Sequence, residues 1–266
     1  MKLSVIVPVL NEAAIVCDFV RHLRLRLPEA EIILVDGGSE DDTREKLEDV
    51  RDEFSLFLAR TPAGRATQMN AGAGLASGDT LLFLHADSRL PDGSARLIAA
   101  ALEDPRVSGG CFRLRFPRPQ LVYRISDSLG NIAVDLFHIA LGDHGIFCRK
   151  KIFFFAGGYP PLPLMEDAEF YRRLTRFGRV RQLRAEVETS PRRYEELGRY
   201  RTTAFYLCIL GLYLARVSPQ SLARCHERFT AGANRTSPFA GRFPKDRMMP
   251  SVFPKTKSDS ALPSAS

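Results

Sequence analysis

Short apolar runs alternate with segments of helical period throughout the first 105 residues, and no other feature of the sequence constrains the fold as strongly. Residues 3–9 (LSVIVPV) are β-branched and bounded by Asn11, which suits a strand buried in a parallel sheet. Asn11 is placed to cap a helix in which Ile15, Val16, Phe19, Val20, Leu23 and Leu27 recur at helical spacing, with Pro28 closing it. Residues 31–35 (EIILV) read as the next strand, running into the turn Asp36-Gly37-Gly38-Ser39. A polar helix over about 42–50 and a strand at 55–59 come next. A loop at 64–74 (GRATQMNAGAG) then leads to a helix start, the strand TLLFLHAD at 80–87 and a helix from Pro91 through Leu102. Such alternation predicts an α/β domain with parallel strands and right-handed crossovers. Ligands of these folds bind beyond the carboxyl ends of the strands, so Asp36 and Asp87 should meet in one crevice.

The second half is less regular. Residues 110–116 (GCFRLRF) alternate like a half-exposed strand, 142–148 (GDHGIFC) give a turn and a strand, and 165–178 read as a helix stopped by glycine. The 266 residues, 45% hydrophobic and 26% charged, can bury a sizeable core. A folded unit over 1–230 is expected, divided at about 105 and about 200, with helices over 201–230. Residues 231–266 are basic, carry five prolines and show no apolar period, so they are expected to form a disordered tail.

Composition also limits the setting. Cys17, Cys111, Cys148, Cys208 and Cys225 are scattered, odd in number and without a CxxC pair, which excludes a complete disulfide framework and fits the reducing cytoplasm. The first residues lack a small-residue cleavage site and read as a strand, not a signal peptide. Residues 204–217 (AFYLCILGLYLARV) are almost wholly apolar but shorter than the roughly 20 residues of a spanning helix. They suit either a buried or interface helix or one lying at the inner face of a membrane.

Each acidic residue that could carry chemistry also has an ordinary explanation. Asp36 can form a turn, Asp87 can cap the segment beginning at Ser88, and Glu166-Asp167 sit where a helix N-terminus favours acids. The alternative uses depend on their neighbours. Glycines beside Asp36 admit a base or ribose; His85 and Asp87, two apart on a strand, point the same way; an ionised Asp167 could take a proton from a hydroxyl. The 64–72 loop offers backbone donors, Arg65, Gln68 and Asn70 to a diphosphate, while lacking the ending of a P-loop. Ten arginines against four glutamates over 172–201 give a local charge of +6 within a chain of +7. No interleaved aromatic pattern accompanies them, so nucleic acid is not the expected partner, and Arg192 and Arg193 are candidate phosphate contacts.

Together these strings resemble family-2 glycosyltransferases of the GT-A fold over about residues 1–200. That resemblance implies a Rossmann-like, mixed, mostly parallel sheet flanked by helices. SVIVPVLNE is similar to the family's opening strand and puts Pro8 and Glu12 beside the nucleobase. VDGGSEDDT resembles the segment that gives Asp36, with Ser39, to uracil or ribose, and GRATQMNAG places Arg65, Gln68 and Asn70 near the donor. His85-Ala86-Asp87 stands at the DxD position, where His85 replaces the first acid; Asp87 is the implied metal ligand and His85 a second candidate. The resemblance also divides the chain into a donor half to about 105 and an acceptor half over about 106–200. MED aligns with the ED pair and assigns the base to Asp167, beside Glu166. Gly142-Asp143-His144-Gly145 is similar to the segment lining the acceptor side, with His144 as an extra candidate ligand. Several motifs are most similar to a bacterial subgroup associated with arsenosugar biosynthesis. The QxxRW motif of processive synthases is absent, which implies single addition. The implied reaction is inverting transfer from a UDP-linked sugar to a hydroxyl acceptor, assisted by Mn2+ or Mg2+. The rival readings are a sugar nucleotidyltransferase and a non-catalytic, nucleotide-sugar-binding or membrane-associated protein.

Overall fold

The structure, a computed structural model, describes residues 1–231. The expected tail lies outside the described residues. Strands β1 (Leu3–Val9), β2 (Glu31–Asp36), β3 (Leu56–Arg60) and β4 (Thr80–Phe83) alternate with helices α1 (Val16–Arg26), α2 (Thr43–Asp49) and α3 (Arg65–Leu75). The chain continues through β5 (Ser88–Arg89), α4 (Ser94–Glu103), β6 (Val107–Arg115), α5 (Leu121–Phe137) and a 3-10 turn at Gly142–His144. Then come β7 (Ile146–Arg149), α6 (Lys150–Phe155), α7 (Glu166–Leu174), β8 (Arg179–Thr189), α8 (Arg192–Leu197), α9 (Arg199–Leu214) and α10 (Pro219–Ala231). All eight strands form one sheet in the order β3-β2-β1-β4-β7-β6-β8-β5. β1 to β4 run parallel, β7 is antiparallel to β4 and β6, and β8 is parallel to β6.

Period-two alternation divides the first strands between two cores. Val5, Val7, Ile32 and Leu34 pack with Val16, Phe19, Val20 and Leu23 of α1 on one face. Ile6, Ile33 and Val35 pack with Met69 and Ala73 of α3 on the other. The crossover direction therefore reverses between β1 and β4, and that switch point opens the crevice in which ligands of open α/β sheets sit. Pro8, which has no N–H to give, lies buried in β1 just past the end of the β1–β4 pairing at Ile6 and Phe83.

Several local expectations are corrected. Asn11 does not cap α1: its φ is 54°, its Oδ1 accepts the Glu40 N–H, and Ile15 occupies the cap position. Residues 64–74 are not a loop, because α3 begins at Arg65. Its small residues serve helix–sheet packing, since a Cβ on Gly72 would lie 2.5 Å from Ile6 Cγ2 and 3.1 Å from Val35 Cγ2. Gly72→Ala should thus cost about 1–3 kcal/mol by overpacking, read as a lower midpoint in urea unfolding; an unchanged midpoint would argue against that close approach. β6 is fully buried over Val107–Phe112, where β7 and β8 flank it, and the expected alternation holds only over 113–116, with Leu114 and Phe116 buried and Arg115 exposed.

The apolar 204–217 stretch is helical as far as Leu214, yet α9 buries only Thr202, Thr203 and Ile209. No described helix is long and apolar enough to cross a membrane.

Candidate functional site

Three chain segments converge beyond the carboxyl ends of β1 and β4. β4 stops at Phe83, so His85 and Asp87 leave the sheet, and it is the turn after the strand, not strand alternation, that brings them together. The 3-10 turn before β7 adds Asp143. One ligand atom each from His85, Asp87 and Asp143 can be chosen so that all three lie within 4.8 Å of one another. His85 Nδ1 stands 2.9 Å from Asp143 Oδ1, and its Nε2 is buried without a partner. Burial opposes a charge on His85, but the hydrogen bond and charge of Asp143 outweigh it and raise the imidazole pKa. Burial and the nearby Asp143 raise the Asp87 carboxyl, whereas Asp143, opposed by burial, is held below the usual range by His85. Asp143 was expected on the acceptor side; its place in this cluster was not legible, because only the antiparallel pairing of β7 with β4 brings it to Asp87.

The cluster fits a divalent cation. Two carboxylates that disfavour each other's charge gain from a cation between them. Ligands in cis positions on an ion at about 2.1 Å lie roughly 3 Å apart, near the His85–Asp143 spacing.

His144 is not part of this cluster. It is buried, its Nδ1 accepts the Leu141 N–H at 3.3 Å, it lies near Gly130, and burial pushes its pKa down to about 4. Gly145 makes the left-handed turn (φ 62°) into β7. Gly142 is wanted for another reason: a Cβ there would run into the His85 ring.

The same Gly142 reaches the second carboxylate centre. Its N–H donates to Asp167 Oδ2 at 3.0 Å, while Asp167 Oδ1 is buried with no hydrogen-bond partner. Burial, then the neighbouring Glu166, push the Asp167 carboxyl up to about 6. Burial thus works against the helix terminus, which was expected to keep Asp167 ionised, and raises the pKa without bringing it above neutrality. Glu166 is 2% exposed and stands 2.8 Å from Arg65 Nε, so the starts of α3 and α7 are clamped together. Tyr159, which no motif in the sequence singles out, buries an unpaired hydroxyl within the field of Asp167 and Glu166.

Gln68 and Asn70, expected at the donor, are engaged by the fold. Gln68 Nε2 donates to Val9 O and Val35 O, tying the ends of β1 and β2. Asn70 donates to Tyr159 O and accepts the Tyr159 N–H, both at 2.9 Å. Ala86 is buried and offers no polar side chain.

On the β2 side, Asp36 Oδ1 accepts both the N–H and the hydroxyl of Ser39, at 2.9 and 2.6 Å. Its Oδ2 is buried without a hydrogen bond, and Arg60 Nε is 3.8 Å away. Glu12 is buried, and burial raises its pKa against the pull of Arg192, whose Nη2 is 3.4 Å from Glu12 Oε2. Arg193 Nη1 donates to the Tyr206 hydroxyl at 2.9 Å, and both arginines act on Asp87 through their charge.

Such a sheet, with its His–Asp–Asp cluster at the switch point, has the architecture of GT-A glycosyltransferases. Residues 4–154 match the model described as "Glycosyl transferase family 2", and the chain belongs to that family. It is 29% identical over 159 residues to undecaprenyl-phosphate 4-deoxy-4-formamido-L-arabinose transferase of Enterobacter sp. (strain 638), covering 56% of this chain and 48% of that one. It is 36% identical over 106 residues to a PGL/p-HBAD biosynthesis glycosyltransferase of Mycobacterium bovis, covering 37% and 40%. The matches thus span about half or less of the length of these curated relatives. The fold is also that of a Pyrobaculum calidifontis mannosyltransferase in complex with GDP-Man and Mn2+, with a TM-score of 0.60 and 17% identity over 91% of this chain and 76% of that one. S. aureus TarS 1-349 in complex with UDP-GlcNAc gives a TM-score of 0.53 and 18% identity over 86% and 71%. The narrower arsenosugar-associated subgroup stands as a likeness of motifs.

Proposed function

We propose that the chain transfers a sugar from a UDP-sugar to a hydroxyl acceptor in a single inverting step, with Mn2+ as the assisting cation. The observation that carries this reading is the meeting of two centres at Gly142-Asp143. One is a buried carboxylate with a free oxygen, and the other is a His–Asp–Asp cluster. The nucleotide-sugar complexes of structures with the same fold support the donor class.

Asp36 Oδ2, which accepts no hydrogen bond and has only Arg60 nearby, would accept from the base or ribose, with Ser39 and Arg60 orienting it and Pro8 and Glu12 forming the wall behind. Arg192 and Arg193 would meet the diphosphate. A cation held by His85, Asp87 and Asp143 would screen the negative charge that grows on the departing diphosphate. Asp167 Oδ1 takes the proton of the acceptor hydroxyl as its oxygen attacks the anomeric carbon opposite the leaving group. Arg65 and Glu166 hold the start of α7, and the Gly142 N–H holds the other Asp167 oxygen. The setting would be the cytoplasm, at the inner face of the membrane, and the five free cysteines suit that compartment.

A base with a pKa of about 6 is largely ionised at neutral pH and still accepts a proton readily. Transfer needs the ionised form, so the rate should fall about tenfold per pH unit below 6 and level off above about 7. Slow transfer to water, read as UDP released from a UDP-sugar, gives this profile without the acceptor. A rate flat between pH 5 and 7 would remove Asp167 as the base. A thermal-shift panel of nucleotide sugars, with and without Mn2+, tests the donor: stabilisation by UDP-sugars that depends on metal is expected, and stabilisation only by GDP-linked donors would overturn the choice of base.

A further inference from the structure

α5 and α9 pack against each other and each turns an apolar stripe outward. On α5 the stripe is Leu121, Ile125, Ile132 and Leu136, spaced so that all four fall on one helical face; Leu121 and Leu136 are 70% and 68% exposed. On α9 it runs through Leu207 and Leu214, seven residues apart, and no charge interrupts the helix after Arg201. Neither stripe belongs to the cores that hold these helices. Val122, Tyr123, Ala133 and Ile209 do that from other faces of the helices.

The charges around the stripes say what they fit. Arg124, Arg199, Arg201 and Arg216 are exposed and have no carboxylate partner among the described residues. The chain from Arg199 to Arg216 contains no acid at all. An apolar face edged by unneutralised arginines complements an anionic lipid surface, where the side chains enter the acyl boundary and the guanidinium groups meet phosphates. A helix of 16 residues, about 24 Å long, can lie on such a surface but falls short of the roughly 30 Å hydrocarbon core.

We infer that the α5–α9 face docks on an anionic membrane surface and presents the site to an acceptor carried there. Both helices adjoin the site. α5 leads through Leu141, itself exposed, into Gly142-Asp143, and α9 comes directly after α8 with Arg192 and Arg193 and supplies Tyr206 to Arg193. The acceptor part of the inference rests on the proposed transfer; the docking part does not.

Co-sedimentation of the full 266-residue chain with vesicles of pure phosphatidylcholine, or of phosphatidylcholine with about 30% phosphatidylglycerol, tests it. Binding is expected to the anionic vesicles and to weaken in high salt. Leu136→Asp with Leu207→Asp should reduce it more than about tenfold, and Arg199→Glu with Arg201→Glu by at least about fivefold per arginine. UDP affinity, measured in parallel on the same variants without vesicles, should stay unchanged, so loss of docking is separable from failure of the donor reading. Vesicle binding that survives both double variants overturns the inference, because the basic residues beyond 231 would then suffice. Absence of vesicle binding overturns it as well, and a dimer in light scattering that the leucine variants dissociate would assign the face to a second copy.

Discussion

Asp167→Asn should lower UDP release from a UDP-sugar by about 10²- to 10⁴-fold while UDP affinity changes less than about twofold. The asparagine oxygen can still accept the Gly142 N–H, so the start of α7 keeps its anchor. Its NH2 group replaces Oδ1, the oxygen of Asp167 that no other group uses, and an amide cannot take a proton. The substitution also removes a buried ionisable group whose charge burial and Glu166 disfavour, so the fold should not suffer, and thermal midpoints of the two proteins should agree within a few degrees. A variant that folds, binds UDP and still releases it at more than a tenth of the wild-type rate would mean that the proton leaves by another route.

The second large effect concerns the cluster. Asp143→Asn should weaken Mn2+ binding on the order of 100-fold, comparable to Asp87→Asn, whereas His144→Gln should leave it within about threefold. Asp143 raises the cost of ionising Asp87, and the charges of His85, Arg193 and Arg192 oppose that cost. Asp143→Asn removes a negative charge from the cluster, while the asparagine oxygen can still accept from His85 Nδ1 at the 2.9 Å contact. His144 sits behind the turn with its ring against Gly130, outside the three-residue cluster, and reaches Asp143 only through its charge. Direct titration of Mn2+, read by its electron paramagnetic resonance signal, distinguishes the two residues, and equal losses at Asp143 and His144 would assign the effect to disruption of the turn.

Where the sequence was readable, the physics was local. Strands β1 to β4 declare themselves because each is a short apolar run with a period-two split between two cores, and Asp36 falls at the end of β2 as a consequence, whereas Asp87 lies in the turn beyond the end of β4 at Phe83. Asp167 could be placed at a helix start for the same reason. What was misread depended on partners distant in the chain. The 64–74 segment looks like a ligand loop because small residues serve close approach to any surface, and here that surface is β1 and β2. Gln68 and Asn70 look available, yet their partners are the backbones of Val9, Val35 and Tyr159. Asp143 belongs with Asp87 only because β7 runs antiparallel beside β4. Ionisation was equally out of reach: a helix terminus favours a charged Asp167 by a few tenths of a kcal/mol to about 1 kcal/mol, and burial reverses that preference.

The central claim is that Gly142-Asp143 joins a cation site to the base in a chain that takes a UDP-linked donor. Calorimetric titration of UDP into the full chain, with and without Mn2+, for wild type and Asp143→Asn, tests it most directly. The expected result is binding at least about tenfold tighter with Mn2+ in the wild type and no such gain in the variant. UDP binding that ignores Mn2+, or a gain that survives the loss of Asp143, would contradict it.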